Sequence, residues 1–301
     1  MSVDEPLTGK IRSIAGSEVD ALAFGCWRLT DPDIGRCAEL VESAVDVGMN
    51  LIDNADVYGL DWGGRGFGSC EEALGEVFRS RPGLRERVVL ATKGGIVPGV
   101  PYVSDDEYLV SACEASLRRL GVDVVDLYQI HRPDPFTHPA RVADTLQSLI
   151  DRGLVRAVGV SNYTPSQTRA LQAHLDVPLA TTQPELSAVA LHPIRDGTLD
   201  LCTETGVVPL AWSPLAGGRL ATGEGVPPAL VACLDAIASD HGVTRAVVAV
   251  AFVVAHPSSP VAIVGSQNPE RLAEIARARD VRLTRAEVYR IIEASDGRPL
   301  P

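Results

Sequence analysis

Long hydrophobic runs are missing from this sequence. Its longest apolar runs, such as residues 247–255, are well short of the ~20 residues that a membrane-spanning helix requires. The first eight residues are acidic and contain no apolar signal core. We therefore expect a cytoplasmic protein with no membrane partner.

Positive charge is also scarce. The chain carries 27 Lys and Arg residues against 39 Asp and Glu residues, which gives a formal net charge of -12. A diffuse polyanion such as DNA is repelled by a surface of this sign. We therefore expect no nucleic-acid partner, and we look for a small-molecule ligand instead.

Paired cysteines are absent. The six cysteines include no C-x-x-C pair, and several of them fall within apolar helical patterns. This spacing is typical of reduced thiols and argues against a disulfide framework or a structural metal site. We therefore expect no metal.

No linker, low-complexity tract or block of like charge divides the chain. Short apolar runs that predict strands alternate instead with amphipathic patterns that predict helices. The predicted strands are residues 21–25, 49–52, 88–92, 125–130, 157–160, 180–183, 208–211 and 261–264. This continuous alternation indicates a single domain over residues 1–301.

The helix signals fall between these strands. Amphipathic patterns predict helices at residues 35–47, 71–79, 138–152, 165–174 and 269–278. A capping box of Ser104 and Glu107 predicts one more helix, and a box of Thr284 and Glu287 predicts a last helix through Ala294. Residues 9–20 predict a hairpin that closes the bottom of the fold.

Strands that are buried on both faces and alternate with helices indicate a parallel α/β sheet, either closed into a barrel or open and doubly wound. An open dinucleotide-binding sheet carries a G-x-G-x-x-G turn after an early strand, but the first strand here ends in Gly25-Cys26-Trp27. The sequence therefore favours a closed (β/α)8 TIM barrel with an N-terminal β-hairpin cap and an extra C-terminal helix.

Polar residues end three consecutive predicted strands. Asp53, Lys93 and His131 each follow an apolar run, and Tyr58 lies five residues beyond Asp53. In a (β/α)8 barrel, these strand ends converge on one mouth. An adjacent ammonium lowers the pKa of a tyrosine from its ordinary value near ~10, so we expect Lys93 to make Tyr58 a proton donor. Asp53 then keeps Lys93 charged, and His131 orients a carbonyl.

Each of these residues also has a plain structural interpretation. A strand-end Asp commonly caps the following helix, a Tyr commonly packs, and a His beside Arg132-Pro133 commonly makes a loop contact. A lysine that ends an apolar strand, however, is rarely buried without a partner. Because the four residues gather at consecutive strand ends, we favour the catalytic interpretation.

The same residues resemble the catalytic motifs of the aldo-keto reductase family. Residues 51–59 are similar to the family's D-T-A-x-x-Y-G motif, residues 91–93 to its strand-end lysine, and residues 127–133 to its histidine motif. The resemblance covers nearly the whole chain and is greatest to the bacterial YdhF-like oxidoreductases. It implies a reductase of aldehydes or ketones with the catalytic tetrad Asp53, Tyr58, Lys93 and His131. Trp27, Tyr58 and His131 then line the substrate pocket.

The resemblance also implies that NADP(H) is the cofactor. Ser161, Asn162 and Gln183 are similar to the residues that hold the nicotinamide carboxamide, although Ser161 and Asn162 are alternatively a cap for the helix after Pro165. Trp212 is similar to the aromatic residue that stacks on the nicotinamide ring, or else it is a core tryptophan. The expected cofactor-binding residues are Gly25, Cys26, Trp27, Asp53, Ser161, Asn162, Gln183, Trp212, Ser213, Pro214, Leu215, Gly217, Gly265, Ser266, Arg271 and Glu274.

The turn after the last predicted strand bears on the choice between NADPH and NADH. Asn268 begins a helix whose N-terminus, together with Ser266 and Arg271, suits a 2'-phosphate. The alternative is a simple helix start with a solvated Arg271. Because Gly265 stands where many relatives carry a phosphate-binding lysine, we expect NADPH to be preferred by only ~10- to 100-fold.

Two other functions are compatible with a barrel of this kind. One is a lyase or aldolase in which Lys93 forms a Schiff base, and the other is a non-catalytic subunit that senses bound NADPH. A complete tetrad disfavours the sensor. The glycine-rich stretch at residues 60–69 is longer than usual and flanks Tyr58, so the sequence names no particular carbonyl substrate. The chain is either a monomer or a weak homo-oligomer.

Overall fold

A closed barrel of eight parallel strands forms the centre of the protein, whose computed structural model describes residues 12–301. A two-stranded antiparallel hairpin, β1 with β2, precedes the barrel. The barrel order follows the chain from β3 to β10, and β10 closes the ring by pairing with β3. The strands are β1 (Arg12–Ile14), β2 (Ser17–Val19), β3 (Leu22–Gly25), β4 (Leu51–Asp53), β5 (Val89–Gly94), β6 (Val125–Ile130), β7 (Val155–Ser161), β8 (Thr181–Gln183), β9 (Val208–Ala211) and β10 (Val261–Val264).

Helices follow the strands around the outside of the barrel. They are α1 (Ile34–Asp46), α2 (Ser69–Ser80), α3 (Asp106–Leu120), α4 (Pro139–Asp151), α5 (Pro165–Gln172), α6 (His192–Arg195), α7 (Thr198–Thr205), α8 (Arg219–Thr222), α9 (Pro228–His241), α10 (Arg245–Val254), α11 (Pro269–Ala276) and α12 (Arg285–Asp296). The predicted (β/α)8 barrel is therefore confirmed, together with the extra helix at its C-terminal end.

The hairpin packs against the N-terminal end of the barrel. Ile14 and Val19 are buried, and they share one apolar cluster with Leu51 and Val89, the first residues of β4 and β5. Because this end of the barrel interior is filled with apolar side chains, any polar site must lie at the opposite end. The predicted hairpin is confirmed for residues 12–20, and its residues 9–11 lie outside the described part.

The capping box predicted at Ser104 and Glu107 is wrong. The N-cap of α3 is Asp105, whose carboxylate accepts the backbone N–H of Tyr108 at 2.8 Å. A carboxylate is a stronger acceptor at a helix N-terminus than a hydroxyl, so Asp105 takes the cap position from the neighbouring serine. Ser104 is buried instead, and its backbone N–H donates to Asp134 at 3.2 Å. The box at Thr284 and Glu287, by contrast, is confirmed at α12.

The helices between β8 and β10 were not predicted from periodicity. All residues of α10 from Val247 to Val254 are buried, so this helix has no polar face and its apolar run shows no helical period. Within residues 12–301, no single helix is long and apolar enough to cross a membrane. Helices α9 and α10 together have the length and apolar composition of a membrane span, but they meet at a bend of 92°.

Candidate active site

The predicted polar strand ends meet at the C-terminal mouth of the barrel. Asp53 is the last residue of β4, and Lys93 lies near the end of the neighbouring strand β5. The Lys93 ammonium donates to Asp53 Oδ2 at 2.7 Å and to the backbone carbonyl of Asn54 at 2.8 Å. Both side chains are buried, so the two strands end in an ion pair that is shielded from water.

Further hydrogen bonds hold the Asp53 carboxylate. Its Oδ1 accepts from the amide groups of Gln183 at 3.0 Å and Gln129 at 3.4 Å. Burial alone would lower the pKa of Lys93, but Asp53 and Tyr58 outweigh it and the pKa rises above its ordinary value. Lys93 therefore stays charged at neutral pH, as a buried ammonium does when a counter-ion replaces its water.

Tyr58 lies directly above this ion pair. The turn that follows β4 is closed by a hydrogen bond from the Tyr58 N–H to the Ala55 carbonyl at 3.2 Å. The Lys93 ammonium lies 5.0 Å from the centroid of the Tyr58 ring, and the His131 ring packs against Tyr58 edge to face at 5.7 Å. The structure therefore brings the four predicted catalytic residues together.

The expected direction of the Tyr58 pKa is wrong. Loss of water around the phenol raises its pKa to about 12, although Lys93 acts in the opposite direction. Desolvation is the largest contribution, while the Asp53 carboxylate offsets part of the Lys93 charge. Tyr58 is therefore fully protonated at neutral pH and can act as a proton donor.

His131 is uncharged in this site. Burial, followed by the nearby charges of Lys93 and Arg132, lowers its pKa well below 6.5. Its backbone N–H donates to the Gly94 carbonyl at 2.8 Å, and its buried Nδ1 makes no hydrogen bond to any described residue. A neutral imidazole of this kind can offer one N–H to a ligand oxygen.

A second polar cluster lies on the next strands. Asn162 donates to Ser161 Oγ at 2.8 Å and accepts the indole N–H of Trp212 at 3.0 Å, while Ser161 donates to the Gln183 carbonyl at 3.0 Å. The alternative in which Ser161 and Asn162 cap α5 is wrong, because Thr164 caps that helix. Trp212 is partly exposed to the cavity rather than enclosed in the core.

One cavity of about 1070 Å³ connects these clusters with the start of α11. Two of the predicted site residues do not line it: Cys26 is fully buried beneath the surface, and Lys93 is covered. The predicted residues that do line it are Gly25, Trp27, Asp53, Tyr58, His131, Ser161, Asn162, Gln183, Trp212, Ser213, Pro214, Leu215, Gly217, Gly265, Ser266, Arg271 and Glu274.

The far end of the cavity is built by the turn before α11. Asn268 caps the helix by accepting the Arg271 backbone N–H at 3.1 Å, and Ser266 Oγ accepts the Asn268 N–H at 3.3 Å. The exposed Arg271 side chain has no ion pair within the described residues. A helix N-terminus beside a free guanidinium is an arrangement that binds phosphate.

Four arginines that were not among the predicted site residues also line the cavity: Arg28, Arg132, Arg219 and Arg245. Arg245 forms a two-pronged ion pair with Asp235 at 2.7 Å, Arg28 donates to the Gly217 carbonyl at 3.4 Å, and Arg219 follows that glycine turn. Arg28 and Arg245 lie outside the predicted motifs, whereas Arg132 directly follows His131 in the histidine motif. The four arginines make the cavity richer in positive charge than the acidic chain as a whole.

The glycine-rich loop at residues 60–69 is held against the turn that follows β3. The Arg28 guanidinium lies 3.9 Å from the centroid of the Trp62 ring, and Thr30 Oγ1 donates to the Trp62 carbonyl at 2.9 Å. Trp27 meets Trp62 edge to face at 5.4 Å. Both indoles are partly exposed, and Trp27 lines the cavity. Within residues 12–301, no cluster of three or more His, Cys, Asp or Glu side chains is placed to hold a metal ion.

Comparisons with known proteins agree with the fold and the motifs. A model of the aldo/keto reductase family matches residues 21–296. The chain is 46% identical, over 99% of both chains, to a 6-dehydroglucose reductase of Novosphingobium aromaticivorans, and 36% identical to the oxidoreductase YdhF of Escherichia coli, over 95% of this chain and 97% of YdhF. The solved structure of the thermostable aldo-keto reductase Tm1743 superposes with a TM-score of 0.81 at 27% identity, over 95% of this chain and 99% of that one. The chain therefore belongs to the aldo/keto reductase family of oxidoreductases.

Proposed function

We propose that this oxidoreductase reduces an aldehyde or ketone to an alcohol with NADPH, and that Tyr58 donates the proton. The observation that carries the proposal is the buried pair of Lys93 and Asp53 beneath Tyr58, at the edge of a cavity of about 1070 Å³. A charged lysine is buried here beneath a phenol that faces the cavity. Because buried ion pairs contribute little to the stability of a fold, we infer that Lys93 acts in proton transfer.

The side chains around the cavity fit NADP(H). Trp212 offers an aromatic surface, while Ser161, Asn162 and Gln183 offer the donors and acceptors that a carboxamide needs. At the other end, Ser266, Arg271 and the N-terminus of α11 suit a phosphate. We infer that these two groups hold the nicotinamide and the 2'-phosphate. When bound, NADPH supplies a hydride to the carbonyl carbon.

The four tetrad residues then control the carbonyl oxygen. His131, which is neutral, offers an N–H to this oxygen and fixes its position. Tyr58 donates its proton to the same oxygen as negative charge develops there. This transfer is favourable even with a Tyr58 pKa of about 12, because an alkoxide is more basic than a phenolate.

Lys93 and Asp53 act on Tyr58 rather than on the substrate. The Lys93 charge stabilises the phenolate that the transfer leaves behind, and the Asp53 carboxylate keeps Lys93 protonated and in place. A lysine that is held protonated is a poor nucleophile, so this pairing disfavours a Schiff-base lyase. The reverse reaction, oxidation of an alcohol, is expected at higher pH, where Tyr58 accepts a proton more readily.

A sugar aldehyde is our proposal for the substrate. The 6-dehydroglucose reductase of N. aromaticivorans shares 46% identity over 99% of both chains. We therefore propose that this chain reduces 6-dehydroglucose, in which the terminal carbon of glucose is an aldehyde.

Three other expectations stay predictions. They are a single domain over residues 1–301, a cytoplasmic location, and the absence of a nucleic-acid or membrane partner.

A turnover assay tests this function. Oxidation of NADPH is followed with 6-dehydroglucose and with panels of aldehydes, ketosugars, α-keto acids and ring ketones, and Tyr58→Phe serves as the inactive control. We expect 6-dehydroglucose to have the highest kcat/KM. Tight NADPH binding without turnover of any carbonyl would support a sensor instead. Trapping of a carbonyl substrate on Lys93 by borohydride would support a lyase.

A further inference from the structure

A second buried carboxyl group lies behind the tetrad. Asp56 is fully buried, two residues before Tyr58 in the turn that follows β4. Its Oδ2 accepts one long hydrogen bond, from the Tyr108 hydroxyl at 3.3 Å, and its Oδ1 has no partner among the described residues. A carboxylate so poorly solvated is costly to keep ionised.

The neighbouring carboxylate, Glu71, is bonded in a different way. Its two oxygens accept from the Thr92 hydroxyl at 2.5 Å and from the Arg119 guanidinium at 2.7 Å. Glu71 therefore has the charge partner that Asp56 lacks. The Arg119 charge lowers the pKa of Asp56, but the guanidinium donates its hydrogen bonds to Glu71 and to Ser116 Oγ.

The backbone around Asp56 connects it to the tetrad. The Asp56 N–H donates to the Lys93 carbonyl at 2.9 Å, and the Asn54 N–H donates to the Ala91 carbonyl at 2.9 Å. The Asn54 carbonyl in turn accepts the Lys93 ammonium at 2.8 Å. Residues 54–56 thus extend the pairing of β4 with β5 beyond the end of β4, and they lead directly to Tyr58.

The space around the Asp56 carboxyl is tightly filled. A Cβ atom built on Gly94 would lie 2.1 Å from the Tyr128 hydroxyl and 3.4 Å from Asp56 Oδ2. Glycine is therefore required at position 94, beside Lys93, to let these polar groups approach the strand. The Asp56 carboxyl thus packs against the strand that carries Lys93, beside the Tyr128 hydroxyl.

We propose that Asp56 is a positioning residue for the reaction, and that it must be an uncharged carboxylic acid for Tyr58 and Lys93 to work together. This inference rests on the proposed reductase function. Ionisation of Asp56 places a second negative charge next to Glu71, in a turn whose backbone binds Lys93 and leads to Tyr58. Because few hydrogen bonds stabilise this charge, the turn shifts and no longer holds Tyr58 and Lys93 in position, so carbonyl reduction slows.

The charged and titratable groups that face Asp56 come from three elements. They are Glu71 on α2, Tyr108 and Arg119 on α3, and Tyr128 on β6. Burial raises the pKa of Asp56 to about 8, with a further increase from Glu71, while Arg119 and the Tyr108 hydrogen bond act against it. The phenols of Tyr108 and Tyr128 remain neutral throughout this range, because burial raises the pKa of each.

Tyr58, Lys93 and His131 do not titrate in this range. The pKa of Tyr58 is raised to about 12, that of Lys93 is raised above 10.5, and that of His131 is well below 6.5. A loss of reductase activity centred near pH 8 would therefore belong to Asp56.

The test is the pH dependence of kcat and kcat/KM from about pH 6 to about pH 10, with saturating NADPH and 4-nitrobenzaldehyde as the probe. For the wild type, we expect kcat to fall about tenfold per pH unit above a midpoint near 8. Asp56→Asn, which is neutral and of the same shape, should remove this fall and leave the NADPH dissociation constant unchanged. Glu107→Gln, an exposed carboxylate on α3, is the matched control and should keep the wild-type profile.

Tyr108→Phe provides a second variant that changes the Asp56 environment without touching Asp56. Because the Tyr108 hydrogen bond lowers the Asp56 pKa, its removal should move the midpoint upward. A residue with a purely structural role would not shift a midpoint in this way. If Asp56→Asn or Tyr108→Phe keeps the wild-type midpoint, or if the wild type has none near pH 8, the inference is wrong. Absence of reductase activity in the wild type would instead refute the proposed function.

Discussion

At the scale of single residues, Lys93 is the group that holds the other residues of the site in position. It is fully buried, yet both Asp53 and the Asn54 carbonyl accept hydrogen bonds from it. These bonds replace the water that the ammonium has lost, and they fix the ends of β4 and β5 relative to each other. Changes at Tyr58 and at Lys93 should therefore affect turnover alike but stability very differently.

Tyr58→Phe removes only the hydroxyl of the proposed proton donor. We expect kcat to fall by about 10²- to 10⁴-fold, because the hydroxyl acts in proton transfer. The NADPH dissociation constant should stay within severalfold, and the free energy of unfolding should change by no more than about 1 kcal/mol. Single-turnover kinetics and a fluorescence titration of NADPH measure these quantities. A variant with full activity would contradict the role of Tyr58.

Lys93→Met removes the charge and leaves Asp53 buried without a counter-ion. We expect a loss of turnover comparable to that of Tyr58→Phe, together with a loss of about 3–5 kcal/mol in the free energy of unfolding. The double variant Lys93→Met with Asp53→Asn should recover much of the stability but none of the turnover. Urea denaturation and steady-state kinetics on the three proteins decide this, and turnover that survives with an unchanged pH profile would contradict the coupling of Lys93 to Tyr58.

The sequence identified the tetrad residues but not the energetics around them. Asp53, Lys93 and His131 were visible because each is polar at the end of an apolar strand. The direction of the Tyr58 pKa depends on how much water reaches the hydroxyl, which the strand pattern does not reveal. Asp56 was overlooked for the same reason, since its burial and its missing partner exist only in the folded chain.

At the scale of elements, the residue that caps each helix determines which neighbouring polar side chains are available to the cavity. Thr164 caps α5, which leaves Ser161 and Asn162 available to the site, and Asn268 caps α11 beside Ser266. Caps were predictable where one residue fits the position. Where two candidates are adjacent, as at Ser104 and Asp105, the spacing alone does not choose between them; Asp105 caps the helix, and the backbone N–H of Ser104 donates to Asp134. The buried helix α10 escaped prediction because a helix without a polar face has no period.

The N-terminus of α11 leads to a prediction on cofactor choice. Arg271 lines the cavity and forms no ion pair with any residue of 12–301, so its guanidinium is available to a 2'-phosphate. We expect the wild type to prefer NADPH over NADH by ~10- to 100-fold, on the order of one charge-assisted contact. Arg271→Ala should remove most of this preference by weakening NADPH alone.

Titration of both cofactors against the wild type and Arg271→Ala measures the effect. Arg285→Ala is the matched control, because Arg285 is an exposed arginine in the first turn of α12 and does not line the cavity. It should leave both dissociation constants unchanged. A wild type that favours NADH would show that this turn does not bind a phosphate.

At the scale of the whole molecule, the barrel separates an apolar end from a charged one. The hairpin and the first residues of the strands form the apolar end, and the arginine-lined cavity occupies the other in a chain with a net charge of -12. The alternation of strands and helices made the barrel predictable. The arrangement of the loops over its mouth, including the contact of Arg28 with Trp62, was not, because such contacts join segments that are distant in sequence.

The separation of buried from exposed charge also determines how stability depends on pH. Asp56 has a pKa of about 8 in the folded chain and near 3.8 in the unfolded chain, so between these values the folded state holds one more proton. Stability therefore falls as pH rises across this range, by about 1.4 kcal/mol per pH unit. The buried histidines His131 and His256 act in the opposite direction, but only below pH 6.5, where the unfolded state binds their protons. The buried thiols, whose pKa values are raised from 9.0, act only at higher pH.

From pH 6.5 to about pH 8, the ionisation of Asp56 thus accounts for nearly all of the change in the free energy of unfolding. We expect the free energy of unfolding of the wild type to fall by about 2 kcal/mol over this interval. Asp56→Asn cannot ionise, so its stability should be nearly constant there and should exceed that of the wild type at pH 8. Urea denaturation at both pH values, with Glu107→Gln as the control that keeps the wild-type decline, measures this. A wild type that is equally stable at both ends of the interval, or an Asp56→Asn protein that loses stability as steeply, would show that Asp56 is already ionised in the folded chain at neutral pH.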